Sequence, residues 1–403
     1  MSLIRLVLKA QGAAVGAVRR VLLHTRSAAL VPADWPAPRG NFAVGVRDAS
    51  VADIGSLTSD GMVRVWYPAR VGTGSGHREY FGDGTEQGAM IRGLAPLLSR
   101  RGSGRLGART TVSLQDAEAI GSDHPVVFFS HGFGGFIGQN THLCESLAAA
   151  GYVVVSVAYP KAAAAIWAPD GSSQFMTKGD SNRLMSDEFA RTMLAVLRAK
   201  SAIAEDTALE QATAVRSLEF ENSRWSAQLT AILDALVDPD ERTQRVDGEL
   251  LRVFDTADWS RIALVGMSFG GSTSANVAHV DGRVSAVVNL DGMQQGAPLF
   301  RQSIRVPLLL MTSGGAHMPS GRGIHDLHYE GEYPGALVRR VRVADAGHYG
   351  FTDLVELGRG PLRKLLDLGQ VDGAKMLAQV SDEVLSFLGS TLHATTNPQT
   401  EQR

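Results

Sequence analysis

Two unbroken apolar runs constrain this chain most: "PVVFFS" at 125–130 and "YVVVSVAY" at 152–159, with a helix-length segment between them. A run without polar alternation suits a strand buried on both faces, and such strands occur in parallel sheets covered by helices on each side. Strand, helix and strand in this order make a βαβ unit, whose strands lie parallel. Three more runs of this kind follow: "RIALVG", "VSAVVNLD" and "VPLLLMTS". "ALVRRVRVADAGH" alternates and reads as a last, half-exposed strand. "NFAVGVRDAS" and "MVRVWYPAR" read as an opening antiparallel pair, whereas residues 70–122, rich in Gly, Arg and Ser, show no clear pattern.

Between the second and third apolar runs the chain leaves the sheet for about a hundred residues. "MSDEFARTMLAVLRAKS" has Ser186 as N-cap, Asp187 and Glu188 in the first turn and a basic residue late, all suited to the helix dipole. "NSRWSAQLTAILDALVD" puts Trp225, Leu229, Ile232, Leu233 and Leu236 on one helical face. "GAKMLAQVSDEVLSFLGSTL" reads as the closing helix. The expected architecture is one α/β domain over 41–390. It has a mostly parallel central sheet, helices on both faces and a helical insert at about 160–250 covering one end near the site. A split into two domains near residue 160 would leave two sheets too small to stand alone. Residues 1–40 are then an N-terminal segment and proline-rich linker, and 391–403 a flexible tail.

With 44% hydrophobic and 20% charged residues the chain has an ordinary globular composition, and a net charge of −2 gives no reason to expect nucleic acid. The lone cysteine, Cys144, allows no internal disulfide and reads as a small buried hydrophobe. Cytoplasm is the expected compartment, with secretion left open. No apolar run reaches the ~18 residues that a spanning helix needs. Residues 1–30 carry Arg5, Lys9, Arg19, Arg20 and Arg26 and no acid, with apolar residues at helical spacing. Two readings stand for them: a basic helix making peripheral membrane contact, or a helix packed on its own domain.

"GMSFG" at 266–270 lies between a strand and a helix. In G-x-S-x-G the glycines permit a tight turn that lifts the serine above the sheet, so Ser268 is the candidate nucleophile. A serine needs a base, and the base needs a carboxylate, which in this arrangement follow in the order Ser, acid, His. Of six downstream histidines (279, 317, 325, 328, 348 and 393), His348 follows the last strand at the carboxyl edge of the sheet. Asp291 ends the strand after the nucleophile, although an Asp-Gly turn is the plain alternative; Asp345 and Asp353 lie too close to His348 in sequence. The oxyanion donors are the N–H of Phe269, after the serine, and of Phe133 in "SHGFGG", where His131 braces the loop. Phe136, Trp167, Met293 and Phe351 are expected to line the substrate cleft. His325 and His328 with Glu330 raise a zinc site, but no fourth ligand is evident, so no metal and no cofactor are expected.

Taken together, these segments resemble the α/β-hydrolases, and within them the platelet-activating-factor acetylhydrolase family (group VII phospholipase A2). "FAVGVRD", "MVRVWYPA", "REYF", "HPVVFFSHGFGGFIGQNTHLCESLAAAGYVVVSVAYP", "RIALVGMSFGGST", "NLDGMQ" and "GHYGFTDL" carry the resemblance over about residues 42–390. It implies a triad of Ser268, Asp291 and His348, with Phe133 and Phe269 as oxyanion amides. The implied activity is hydrolysis of short or modified acyl esters such as PAF-like phospholipids through an acyl-enzyme. Met267 stands where that family usually has His, and "AYPKAAAAIWAPDG" replaces its charged stretch. Bacterial polyester and triacylglycerol hydrolases of the lipase or cutinase kind are the neighbouring reading. A non-catalytic protein of this fold that binds a ligand or membrane is the third.

Overall fold

The structure is a computed structural model. It describes residues 35–392 apart from 55–60, 99–103, 105, 185, 297–298, 315–317, 326–327, 330–337, 357–362 and 364–365. The basic stretch 1–30 and residues 393–403 of the tail therefore lie outside the described residues.

The opening pair is antiparallel as expected: β1 (Ala43–Val51) runs against β2 (Gly61–Ala69) with Val46 opposite Trp66. The unpatterned segment 70–122 holds β3 (His77–Glu79), a helix Gly84–Leu98 and β4 (Thr110–Gln115). A buried charge network ties this region down. Arg64 of β2 pairs with Asp48 at 2.6 Å and Glu86 at 2.9 Å, and Arg78 reaches the same two carboxylates at 2.8 and 2.6 Å. The apolar runs become β5 (His124–Ser130) and β6 (Val153–Val157), joined by the helix Thr141–Ala149. After a small hairpin of β7 (Ala165–Trp167) and β8 (Ser173–Phe175) come β9 (Ala257–Met267), β10 (Val284–Leu290), β11 (Leu308–Ser313) and β12 (Val338–Val343). Among the described residues the large sheet has the order β12-β11-β10-β9-β5-β6-β2-β1-β4-β3, and every pair from β12 to β6 is parallel.

Successive residues of one strand serve opposite cores, which is why these runs lack polar alternation. Val126 and Phe128 face one core with Val65, Ile262 and Leu264; Val127 and Phe129 face the other with Val154, Val265 and Val288. The second core is closed by the helices Thr141–Ala149 and Gly373–Leu392.

The insert does more than cover an end. Its helix Arg216–Val237 buries Trp225, Leu229, Ile232, Leu233 and Leu236 completely against the first face. Each such side chain contributes about 2 kcal/mol of apolar burial. The helix Asp187–Arg198 starts as expected, with Ser186 Oγ accepting from Phe189 N–H at 3.2 Å. The described part of the linker is strapped to the domain. Trp35 packs edge-on against Tyr80, Pro36 O accepts from His142 Nε2 at 3.0 Å, and Arg39 pairs with Asp382. Among the described residues no helix is long and apolar enough to cross a membrane.

Candidate active site

β9 ends at Met267, the helix Phe269–Val280 begins two residues later, and Ser268 takes the whole turn at φ 55°, ψ −122°. A serine in that region is strained, and it persists because its surroundings leave no room for another path. A Cβ on Gly266 would lie 2.2 Å from Gly270 O, and one on Gly270 the same distance from Ser130 O. The two glycines of the motif thus let the helix start against β9 and β5 without backbone collision. Ser268 N–H is anchored to Leu290 O at 2.8 Å, and its side chain stays half-exposed above the sheet.

The three residues expected to act together meet. Ser268 Oγ is 2.9 Å from His348 Nε2, and His348 Nδ1 is 2.7 Å from Asp291 Oδ2. A carboxylate only accepts, so Nδ1 carries the hydrogen and Nε2 is free to accept from the serine hydroxyl. His348 opens a short 3-10 turn, His348–Phe351, held by its own N–H on Asp367 Oδ2 at 3.2 Å and by Asn140 Nδ2 on Phe351 O at 2.6 Å. Asp291 follows β10 at φ 54°, its N–H on Met311 O and its Oδ1 accepting Ser313 N–H at 2.6 Å. Asn289 locks the turn around it by exchanging hydrogen bonds with the Gly292 backbone. Burial alone would push the Asp291 carboxyl up, but its contacts with His325 and His348 outweigh this and hold it well below the ordinary carboxylate range.

The loop after β5 lies against the nucleophile. A Cβ on Gly132 would be 3.3 Å from Ser268 Cβ and 3.0 Å from Met267 Sδ. Met267 is therefore packing: its thioether fills the space under the loop. Gly132 N–H reaches Gln139 Oε1 at 3.2 Å, Gly134 N–H reaches Ala162 O at 2.7 Å, and Ala164 N–H returns to Gly135 O at 2.7 Å. Neither Phe133 N–H nor Phe269 N–H has a partner among the described residues; Phe269 follows Ser268 in the chain, and Phe133 follows Gly132, which lies against it. Their rings are neighbours, 6.2 Å apart, and both pack on the buried Trp225 of the insert. His131 braces this loop. Its Nε2 accepts from Tyr159 N–H at 3.3 Å, so Nδ1 donates to Gly132 O at 2.7 Å, and burial lowers its pKa to about 4.

The residues expected to line the cleft divide. Trp167 is half-buried on β7, and Met293 is partly buried in a small cluster with Val196, Leu209 and Met318. Phe136 and Phe351 are corrections: they are 2% and 1% exposed and lie in the cores. Phe136 turns toward Tyr80 and Phe81, and Phe351 packs on the core closed by the helix Gly373–Leu392. Cys144 is buried, and burial pushes its thiol up. His317, Asp326, Glu330 and His393 lie outside the described residues. Among the described residues no three His, Cys, Asp or Glu side chains converge as metal ligands. Sequence reasoning missed Ala162 and Ala164 as braces of the loop after β5, Ser313 N–H as a donor to Asp291, and the approach of His325 Nε2 to Asp291 Oδ1 at 3.6 Å. Only the last had a signal, the paired histidines at 325 and 328.

Comparison with known proteins bears on the fold and the family. Ferulic acid esterase from Streptomyces cinnamoneus superposes with a TM-score of 0.66 at 20% identity, covering 93% of this chain and 97% of that one, a likeness of fold. A dienelactone hydrolase-like promiscuous phosphotriesterase from metagenomic libraries aligns with a TM-score of 0.44 at 12% identity, over 86% of this chain and 99% of that one. The sequence model of platelet-activating factor acetylhydrolase, isoform II, matches residues 32–393, a span that takes in every strand and all three segments around Ser268, Asp291 and His348. The chain belongs to the platelet-activating factor acetylhydrolase, isoform II, family of α/β-hydrolase-fold ester hydrolases.

Proposed function

We propose that this protein hydrolyses carboxylic esters through an acyl-enzyme on Ser268, with short or modified acyl esters such as PAF-like phospholipids as its substrate class. The observation that carries the reading is the unbroken line from Ser268 Oγ through His348 to Asp291, with the Phe133 and Phe269 amides unpartnered among the described residues. As Ser268 Oγ attacks the ester carbon, His348 Nε2 takes its proton, and Asp291 stabilises the imidazolium that forms. Charge builds on the carbonyl oxygen, where the Phe133 and Phe269 N–H groups are free to receive it; one such donor is worth about 10²–10³-fold in rate. His348 returns the proton to the leaving alcohol oxygen. Water then repeats the attack on the acyl-enzyme and releases the acid. The family supports the acyl preference, since its description names an acetylhydrolase of platelet-activating factor.

The test is an ester series of rising acyl length that includes a 2-acetyl phospholipid and a triacylglycerol. The expected outcome is the highest kcat/KM for acetyl to butyryl groups, with hydrolysis lost in Ser268→Ala. Preference for long-chain triacylglycerol or polyester would move the protein to the neighbouring reading.

A further inference from the structure

Asp291 faces a second imidazole. Oδ2 holds His348 Nδ1 at 2.7 Å, whereas Oδ1 has Ser313 N–H at 2.6 Å and His325 Nε2 at 3.6 Å. The last distance is longer than an ordinary hydrogen bond, so at rest the contact is one of dipole and charge. His325 is buried, its Nδ1 has no partner among the described residues, and its carbonyl is held by Arg340 Nη1 at 3.2 Å. Behind it lies His328, fully buried, with ring centroids 6.1 Å apart and neither ring nitrogen partnered among the described residues. Among the described residues the titratable and charged groups around the pair are His348 on one side and His328, Tyr329 and Arg340 on the other.

A carboxylate offers only acceptors, so the His325 nitrogen turned toward it is the one that bears hydrogen. The opposite nitrogen, Nδ1, buried without a partner among the described residues, then keeps a lone pair instead of an orphan N–H. We propose that His325 is a positioning residue of the relay: its Nε2–H, with Ser313 N–H, fixes the Asp291 carboxylate and draws charge onto Oδ1. Oδ2 then orients the His348 proton without taking it. This rests on the triad reading above. Removing the His325 donor leaves Oδ2 more basic, binds the His348 proton more tightly and moves the loss of activity at low pH to higher pH.

The test measures kcat and KM for p-nitrophenyl acetate from pH 5 to 9 in the full chain, for the wild type, His325→Leu and His325→Gln. His325→Leu should lower kcat about tenfold, leave KM unchanged and raise the acid limb of kcat/KM by roughly half a pH unit, the scale of one modest hydrogen bond. His325→Gln, whose amide N–H can stand near the lost Nε2–H, should return the limb toward the wild-type position. A limb unmoved in His325→Leu, whatever happens to kcat, overturns the proposal, because lost packing alone would not shift it. Should His325→Leu fail to fold, 15N-histidine spectra of the wild type decide, with His325→Gln giving the assignment. A neutral ring protonated at Nε2 supports the proposal, and one protonated at Nδ1 overturns it. A wild type without esterase activity sinks the triad reading instead, and the same spectra still judge His325.

Discussion

Replacing Asp291 by Asn should cost about 10⁴-fold in kcat while leaving the fold intact, and the structure says why the amide cannot rescue itself by turning over. Oδ1 accepts Ser313 N–H at 2.6 Å and has His325 Nε2 at 3.6 Å, so two donors claim that position for an oxygen. The Asn amide must therefore place its NH₂ where Oδ2 now stands, 2.7 Å from His348 Nδ1. Two donors cannot share that line. His348 answers by moving its hydrogen to Nε2, and that nitrogen, 2.9 Å from Ser268 Oγ, is then no longer a base. A triad held in the wrong tautomer loses about 10⁴-fold, or about 5 kcal/mol of transition-state stabilisation. The assay is steady-state hydrolysis of p-nitrophenyl acetate with the active fraction titrated by a fluorophosphonate, and with Tm recorded for both proteins. An Asp291→Asn protein that folds like the wild type and keeps kcat within tenfold would refute the reasoning, since Asp291 would then not be setting the tautomer.

Other outcomes follow from the same geometry. Gly270→Ala puts a Cβ 2.2 Å from Ser130 O and 2.5 Å from His131 O, so the helix must move off β5 and carry Phe269 N–H with it; both Tm and kcat should fall, kcat by about 10²-fold or more. Glu145 is buried, and burial lifts its carboxyl from the ordinary 4.5 to about 7, so the folded state keeps a proton that the unfolded chain releases. Stability should decline as pH rises from about 4.5 to 7, and Glu145→Gln should remove that decline, worth about 3 kcal/mol above pH 7, in denaturation curves taken across pH. Ser186→Ala removes the cap on Phe189 N–H and should cost about 1 kcal/mol of stability with kcat unchanged. Deleting residues 1–30, with their five basic residues, should abolish binding to anionic vesicles; undiminished binding would reject peripheral membrane contact through this segment.

The core of the fold was legible because burial on both faces writes itself into sequence. Val126 to Phe129 carry no polar residue since each one meets a hydrophobic layer. The serine and the aspartate could be found because each stands where an apolar strand run stops, and the histidine because it lies in the loop after the last strand. Edge elements leave no such trace. β3, β7 and β8 are three residues each, too short for any period, and β4 buries Thr111 and Ser113 while exposing Val112, the reverse of an apolar alternation. Ala162 to Ala165 look featureless, yet their size is dictated by tertiary approach. A Cβ on Gly93 would lie 2.6 Å from both Ala164 O and the Ala165 Cβ, so the helix Gly84–Leu98 and this strand meet backbone to backbone. Phe136 and Phe351 were misread for a related reason. Nearness to a motif along the chain does not say which way a side chain turns, and the Tyr80–Phe81 pair that receives Phe136 comes from the segment without pattern. His325 lies far from Asp291 in sequence, and only the folded chain brings the two together.

Intact-mass analysis after treatment with a fluorophosphonate, with the modified peptide sequenced, tests the central claim most directly. The account predicts one adduct per chain, on Ser268, with ester hydrolysis lost in step with labelling and no adduct on Ser268→Ala. An unlabelled Ser268, or a Ser268→Ala protein that still turns over esters at the wild-type rate, would contradict it.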